Sequence, residues 1–287
     1  MAGKEEYYDY TPSKGAAVVS LVIFGALFAY HAFRLFRTRT WFCIPFAIGA
    51  IFELIGYGCR AYGNSKPDSK LPYILQALLI LLAPILFAAS VYMFLSRIIR
   101  ATGQLASSII RPTRLTKIFV GGDVLCFLIQ AVGAAILAGS DSKKSSNLGK
   151  AVILVGLFLQ IAIFGFFIVV GIVFHIRAAR VSGGKLVAAD FNWEGYLHQL
   201  YVVSVLITIR NVFRVIEYAM GEDGYLLAIE WPIYVFDALL MAIVLAICCK
   251  WYVRDIITVH VVAQEGQEDF EMGNQDLLEP KHQARRH

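Results

Sequence analysis

Seven long, mainly apolar blocks fill most of this chain, at approximately residues 15–36, 41–61, 73–97, 116–138, 150–176, 196–219 and 229–251. Each can cross a bilayer, because about 20 residues of helix span the roughly 30 Å of hydrocarbon. No water reaches that depth, so the backbone must bond within its own segment, as a helix does. Polar, turn-rich stretches such as Gly63–Asp68 and Ser140–Lys144 separate the blocks. Of the 287 residues, 58% are hydrophobic and only 16% charged, against about 25% charged in an average soluble domain. The expectation is an all-α integral membrane protein with seven transmembrane helices in one bundle. Its organisation reads as an extracellular segment (1–14), the seven-helix domain (15–252) and a disordered cytosolic tail (253–287), the last being polar with too little apolar area to fold alone.

The first fourteen residues lack the basic start and small-residue cleavage site of a signal peptide, so the first helix reads as a retained signal anchor. Lys and Arg stay on the cytosolic side, and the odd-numbered loops carry eleven of them against eight on the other face. That bias puts the N-terminus outside and the C-terminus in the cytosol. Trp41, Trp193, Trp231 and Trp251 fall at span ends, where indole rings sit at headgroup level. The cysteines Cys43, Cys59, Cys126, Cys248 and Cys249 lie in or beside apolar blocks, which argues against a disulfide framework. The net charge of +5 is not gathered into an aromatic-interleaved basic patch, so no nucleic-acid partner is expected.

The informative residues are the polar ones inside the spans. An ionised side chain near the bilayer centre costs about 2.5–3.5 kcal/mol on insertion scales, so such groups face the bundle interior and find partners. The second span carries Glu53 and Arg60, the sixth Arg210, Arg214 and Glu217, and the seventh Glu230 and Asp237. Asp123 and Gln130 lie on the fourth, Gln76 on the third and Gln160 on the fifth. Spacings of three, four and seven keep each helix's members on one face. At about 1.5 Å per residue, Glu53, Arg210 and Asp237 fall just outward of the midplane. Arg60, Arg214, Glu217 and Glu230 fall nearer the outer interface, and Asp123 on the inner side. Convergence at similar depths predicts a shared polar cavity opening toward the outer leaflet. Five acids facing three arginines would favour a cation or an amine headgroup. The competing reading is that the pairs only tie helices together. Pro84 should kink the third span, and Gly121, Gly122, Gly165 and Gly171 read as close helix contacts.

Several classes are poorly matched. The seventh span has no mid-depth lysine for a retinal Schiff base, and neither Asp-Arg-Tyr after span three nor Asn-Pro-x-x-Tyr in span seven occurs. No phosphate-binding glycine loop is present, and His31, His175 and His198 lack metal-ligand spacing. No cofactor or metal is expected from these patterns.

An ordered succession of short motifs resembles the fungal lipid-translocating exporter family, the RTA-like seven-helix proteins. It runs from Tyr10, Pro12 and Ser13 through Glu53, Gly56, Tyr57 and Arg60, then Ala83, Pro84, Ala88, Ala89, Tyr92 and Met93. It continues through Asp123, Gln130 and Gly133, then Gly156, Leu157 and Gln160, then Arg210, Arg214, Glu217 and Tyr218, and ends with Glu230, Tyr234, Asp237 and Met241. The resemblance covers most of residues 7–252. It implies a fungal plasma-membrane protein that translocates or exports amphiphilic lipids such as sphingoid long-chain bases, with links to drug resistance and porphyrins. The ligand-binding candidates are Glu53, Arg60, Gln76, Asp123, Gln130, Gln160, Arg210, Arg214, Glu217, Glu230 and Asp237, with membrane lipids and an amphiphilic lipid ligand as partners and no catalytic residue. Two alternatives stay open: a seven-helix lipid, drug or porphyrin sensor signalling through its cytosolic loops, and a metal-dependent membrane lipid hydrolase.

Overall fold

A computed structural model of the chain describes residues 13–65, 69–139, 143–182, 192–220 and 230–252. These form α1 (Lys14–Thr38), α2 (Ile44–Ser65), α3 (Lys70–Ala101), α4 (Pro112–Ala138), α5 (Lys143–Ser182) and α6 (Trp193–Met220). The seventh span begins with a π-helical stretch, Ile233–Leu239, and continues as α7 (Leu240–Cys248). Seven helical segments are long and apolar enough to cross a membrane, and no strand occurs among the described residues. The expected extracellular segment up to residue 12 and the expected tail from 253 lie outside the described residues.

Sequence sets the ends of these helices. Ser13 precedes α1 in extended conformation, and its hydroxyl accepts the Ala16 N–H at 3.4 Å. At the other end Arg39 turns into the left-handed region (φ 55°), where its N–H closes on the Leu35 carbonyl at 2.9 Å. Pro112 opens α4 at its first position, where the missing N–H removes nothing. Pro84 is accommodated within a helix that continues to Ala101. With 40 residues at about 1.5 Å each, α5 is longer than the hydrocarbon is thick, so its ends reach beyond the apolar stretch read from sequence.

Burial divides the helices by role. The apolar window of α3 is 67% buried, against 22% in α1 and α4, which makes α3 the axis of the bundle. It packs on α2, α4 and α6, while α4 pairs with α5, α6 with α7, and α1 with α2 and α7. Lipid offers apolar groups the same welcome that a protein core does, so association depends on close packing and polar contacts. The close contacts are not at all the glycines expected. Gly121 and Gly165 face open space, whereas a Cβ on Gly56 would meet Ile80 at 2.7 Å and one on Gly133 would meet Gly149 O at 2.9 Å. A Cβ on Gly156 would meet Gln130 Cγ at 2.7 Å. Glycine therefore brings α4 and α5 almost backbone to backbone.

The tryptophans also divide. Trp41 and Trp231 are exposed at span ends, as interface anchors should be. Trp251 is fully buried, stacked on Phe94 with ring centroids 4.0 Å apart, and its indole N–H donates to Gln199. Trp193 is likewise in the core. Buried side-chain area, rather than headgroup anchoring, explains those two. All five cysteines are free.

Candidate functional site

Three helices deliver a charged cluster to one side of α3. On α6, Arg210, Arg214 and Glu217 recur at four- and three-residue intervals and so share a face. On α2, Glu53, Tyr57 and Arg60 do the same. The seventh span contributes Glu230, Tyr234 and Asp237, the latter two within the π-helical stretch. Such stretches are rare and concentrate at functional sites.

Asp237 is the hub. Its Oδ1 accepts Arg210 Nε at 2.8 Å and Arg214 Nε at 3.3 Å, and Arg214 Nη2 closes on its Oδ2. Arg214 also donates to Glu217 at 2.9 Å, and Arg210 Nη2 donates to the Ile80 carbonyl of α3 at 3.1 Å. Toward the N-terminal end, Arg60 donates to Glu230 Oε1 through Nη2 at 2.9 Å and Nε at 3.2 Å. Tyr234 OH donates to the same oxygen at 3.0 Å and accepts from Arg60 Nε at 3.0 Å. The Ser13 N–H at the head of α1 donates to both Glu230 oxygens, at 2.9 and 2.7 Å. Glu230 thus joins α1, α2 and the seventh span, with its charge where the α1 dipole favours an anion.

Glu53 is the exception. It is completely buried, it lies within the electrostatic reach of Asp237, Arg210 and Arg214, and neither carboxylate oxygen has a hydrogen-bond partner. Tyr57 OH, Arg210 Nη1 and Asn211 Oδ1 are also buried without partners. A buried polar group left unbonded costs about 1–3 kcal/mol and more when charged, and Glu53, Tyr57 and Arg210 all carry such atoms within one charged cluster. Exposure is graded: Arg60, Arg210 and Asp237 side chains are at most 2% exposed, Arg214 11% and Glu230 16%. The cluster is closed at its core and thins toward the end where α1 begins.

Of the sequence candidates, seven meet here: Glu53, Arg60, Arg210, Arg214, Glu217, Glu230 and Asp237. Gln76 is buried one turn along α3 from Ile80, the residue that receives Arg210. Asp123, Gln130 and Gln160 belong elsewhere, between α3, α4 and α5. Asp123 accepts from Tyr92 OH at 2.7 Å, and Gln130 Nε2 donates to Gln160 Oε1 at 2.9 Å. The charged cluster therefore holds four acids and three arginines, one acid fewer than the sequence count. Tyr57, Asn211 and Tyr234 were not candidates, although Tyr57 and Tyr234 stand four residues from Glu53 and Glu230, a spacing that marks a shared face. The histidines do not converge: His31 is buried between Tyr252 OH and the Leu245 carbonyl, while His175 and His198 sit together on α5 and α6. Among the described residues no three His, Cys, Asp or Glu side chains form a metal-holding group.

Comparison with known proteins adds a lineage. The family described as RTA1 like protein matches residues 46–259, a stretch that contains nearly the whole cluster. The chain belongs to the RTA1-like protein family. It is 34% identical to Protoporphyrin uptake protein 1 of Saccharomyces cerevisiae, over 83% of this chain and 89% of that one. It is 31% identical to Protein RTA1 of the same yeast, over 94% and 92%. Similarity extends to the yeast Sphingoid long-chain base transporter RSB1, 26% identical over 83% of this chain and 70% of that protein. No solved structure matches the chain significantly. Family members thus carry names of transport and uptake, and lipid transport in the broad sense is the activity the family supports.

Proposed function

We propose that this protein translocates amphiphilic lipids across a fungal plasma membrane, with long-chain bases and related cationic amphiphiles as substrates and Glu53 as the receptor for the headgroup. The observation that carries the reading is the contrast among carboxylates. Asp237, Glu217 and Glu230 are each bonded to arginine, whereas Glu53 has both oxygens buried and unbonded. An ammonium group brings donors to a carboxylate that has none. Its acyl tail stays between helices or in lipid, where it loses no hydrophobic stabilisation. Arg210 and Arg214 hold the surrounding charges in register, and the 16% exposure of Glu230 fits entry from the end that the charge bias assigns to the outside. Chemistry on the lipid is not required for this role.

A second reading rests on Arg210 Nη1, a buried donor without an acceptor. An amphiphilic dicarboxylate of the porphyrin kind would engage that guanidinium in the charge-assisted geometry arginine favours. The names of the yeast relatives divide between these two substrate chemistries.

Leaflet movement of a fluorescent sphingoid base in vesicles containing the purified protein tests the proposal. Movement that is lost in Glu53→Gln supports it. Tight binding without movement points to a sensor, and movement of a porphyrin that survives Glu53→Gln but fails in Arg210→Gln supports the second reading.

A further inference from the structure

Asp123 is bonded to a different part of α3 from the one the charged cluster reaches, Tyr92 rather than Ile80, and is 1% exposed. Its Oδ2 accepts one neutral hydrogen bond, from Tyr92 OH, and its Oδ1 is buried with no partner. Among the described residues no Arg, Lys or His pairs with it, unlike Asp237, Glu217 and Glu230. The groups that face it are few. From α3 comes Tyr92, whose ring packs against Phe119 of α4 and Phe164 and Phe167 of α5. From α4 itself comes Cys126, one turn away and buried, and from α5 the nearby rings are apolar. Val124 and Leu125 beside it are exposed to the surroundings that lipid occupies. One turn beyond Cys126 on the same face, Gln130 Oε1 is again buried without a donor.

What is left over here differs in kind from what is left over at Glu53. The charged cluster has an unused donor and unused acceptors together, Arg210 Nη1 within electrostatic reach of Glu53. The Asp123 region has unused acceptors, Asp123 Oδ1 and Gln130 Oε1, and among its named neighbours no buried side-chain N–H or O–H is left without an acceptor. A carboxylate in such surroundings needs a positive counterpart, and the chain supplies none. Asp123 is closed off at 1% exposure, and the Tyr92 ring that bonds it is packed at centroid separations of 5.4, 5.9 and 4.6 Å against Phe119, Phe164 and Phe167. The counterpart is therefore small.

We infer that Asp123, with Tyr92 OH beside it, is the binding site for a small monovalent cation, a proton or an alkali ion, that couples to the transport cycle. The coupling half rests on the transport reading; the cation half does not. Through α3, which carries Tyr92 on one face and the Ile80 carbonyl that receives Arg210 on another, occupancy of the two sites shares a rigid element.

The test uses the full chain in lipid nanodiscs without any lipid substrate. Infrared spectra are recorded across a pH series, with sodium or with choline as the cation, for the unmodified protein, Asp123→Asn and Tyr92→Phe. If the cation is a proton, a carboxylic-acid C=O band titrates and is lost in Asp123→Asn. If it is sodium, that variant instead loses a sodium-dependent rise in melting temperature. Tyr92→Phe keeps the carboxylate and must shift the midpoint of whichever response is seen, which preserves the test if Asp123→Asn does not fold. Spectra and melting curves identical in all three proteins overturn the inference. In vesicles, movement driven by a gradient of that cation and insensitive to it in Asp123→Asn supports the coupling; movement equally driven in both overturns the coupling and leaves the transport reading intact.

Discussion

Two polar regions are buried against different faces of α3, and they are built by opposite rules. On the side of α2, α6 and the seventh span, charges are plentiful and mutually bonded, with Asp237 holding two arginines and Glu230 tying three segments. On the side of α4 and α5, polar groups are few and neutral but for Asp123, and glycine brings the helices together. Ion pairs without hydrophobic drive can hold the first assembly because their alternative, separated charges in hydrocarbon, is worse. Close backbone approach holds the second. Each region contains one carboxylate with no arginine bonded to it, Glu53 with neither oxygen bonded and Asp123 with one oxygen held by Tyr92 alone. Arginine-bonded acids and acids without a cationic partner are therefore distinguished residue by residue, and the proposed ligand roles fall on the second kind.

That separation makes ordered predictions for stability. Asp237→Ala strips two buried guanidinium groups of their counter-charge and should destabilise the folded state most, by about 3–5 kcal/mol. A collapse of monodisperse protein in detergent would show it, and an unchanged melting curve would mean that the arginines find other partners. Gly156→Leu attacks the other region by pushing α5 off the Gln130 face, at about 1–3 kcal/mol. Its signature is a lowered unfolding midpoint with the Arg210 and Asp237 bonds untouched; a midpoint at the unmodified value would show that the α4 and α5 packing is looser than the contacts imply. Gln130→Leu leaves Gln160 Oε1 without its donor and should lower stability by about 1 kcal/mol. The double variant Gln130→Leu/Gln160→Leu should recover much of that, since both partners are then apolar. Failure to recover would assign the glutamines a role beyond their mutual bond. Smallest of all is Glu53→Gln. With no hydrogen bond to lose, it should leave the unfolding midpoint at or above that of the unmodified chain, and a large drop would place Glu53 among the structural acids.

The same comparison explains what the sequence made legible. Seven spans could be read because apolar length is a local property, and the ends moved by only a few residues, most at Lys143–Ser182, where polar turns of helix extend past the apolar run. The charged cluster could be read because Arg210, Arg214 and Glu217 on one face, and Glu53 and Arg60 on another, are expensive in lipid and have to meet. Asp123 was grouped with them on cost alone. Cost says that a charge must be inside, not which side of α3 it faces, and that depends on helix order in space. Trp251 and Trp193 were assigned to the interface by position along the chain, whereas rotation about the helix axis turns them into the core. Gly121 was read as a contact and Gly156, quoted only within a motif, proved to be one, for the same reason of facing. The unbonded state of Glu53 was out of reach, since it depends on which carboxylates Arg210 and Arg214 choose.

The central claim is that Glu53 receives the headgroup while Asp237 holds the helices. Its most direct test is a thermal-shift titration of the purified protein with a sphingoid base, for the unmodified chain and Glu53→Gln. Ligand binding to the folded state alone raises the midpoint in proportion to the logarithm of its free concentration. The account predicts a concentration-dependent rise in the unmodified protein and none in Glu53→Gln, from starting midpoints that are alike. Equal rises in both proteins would contradict it.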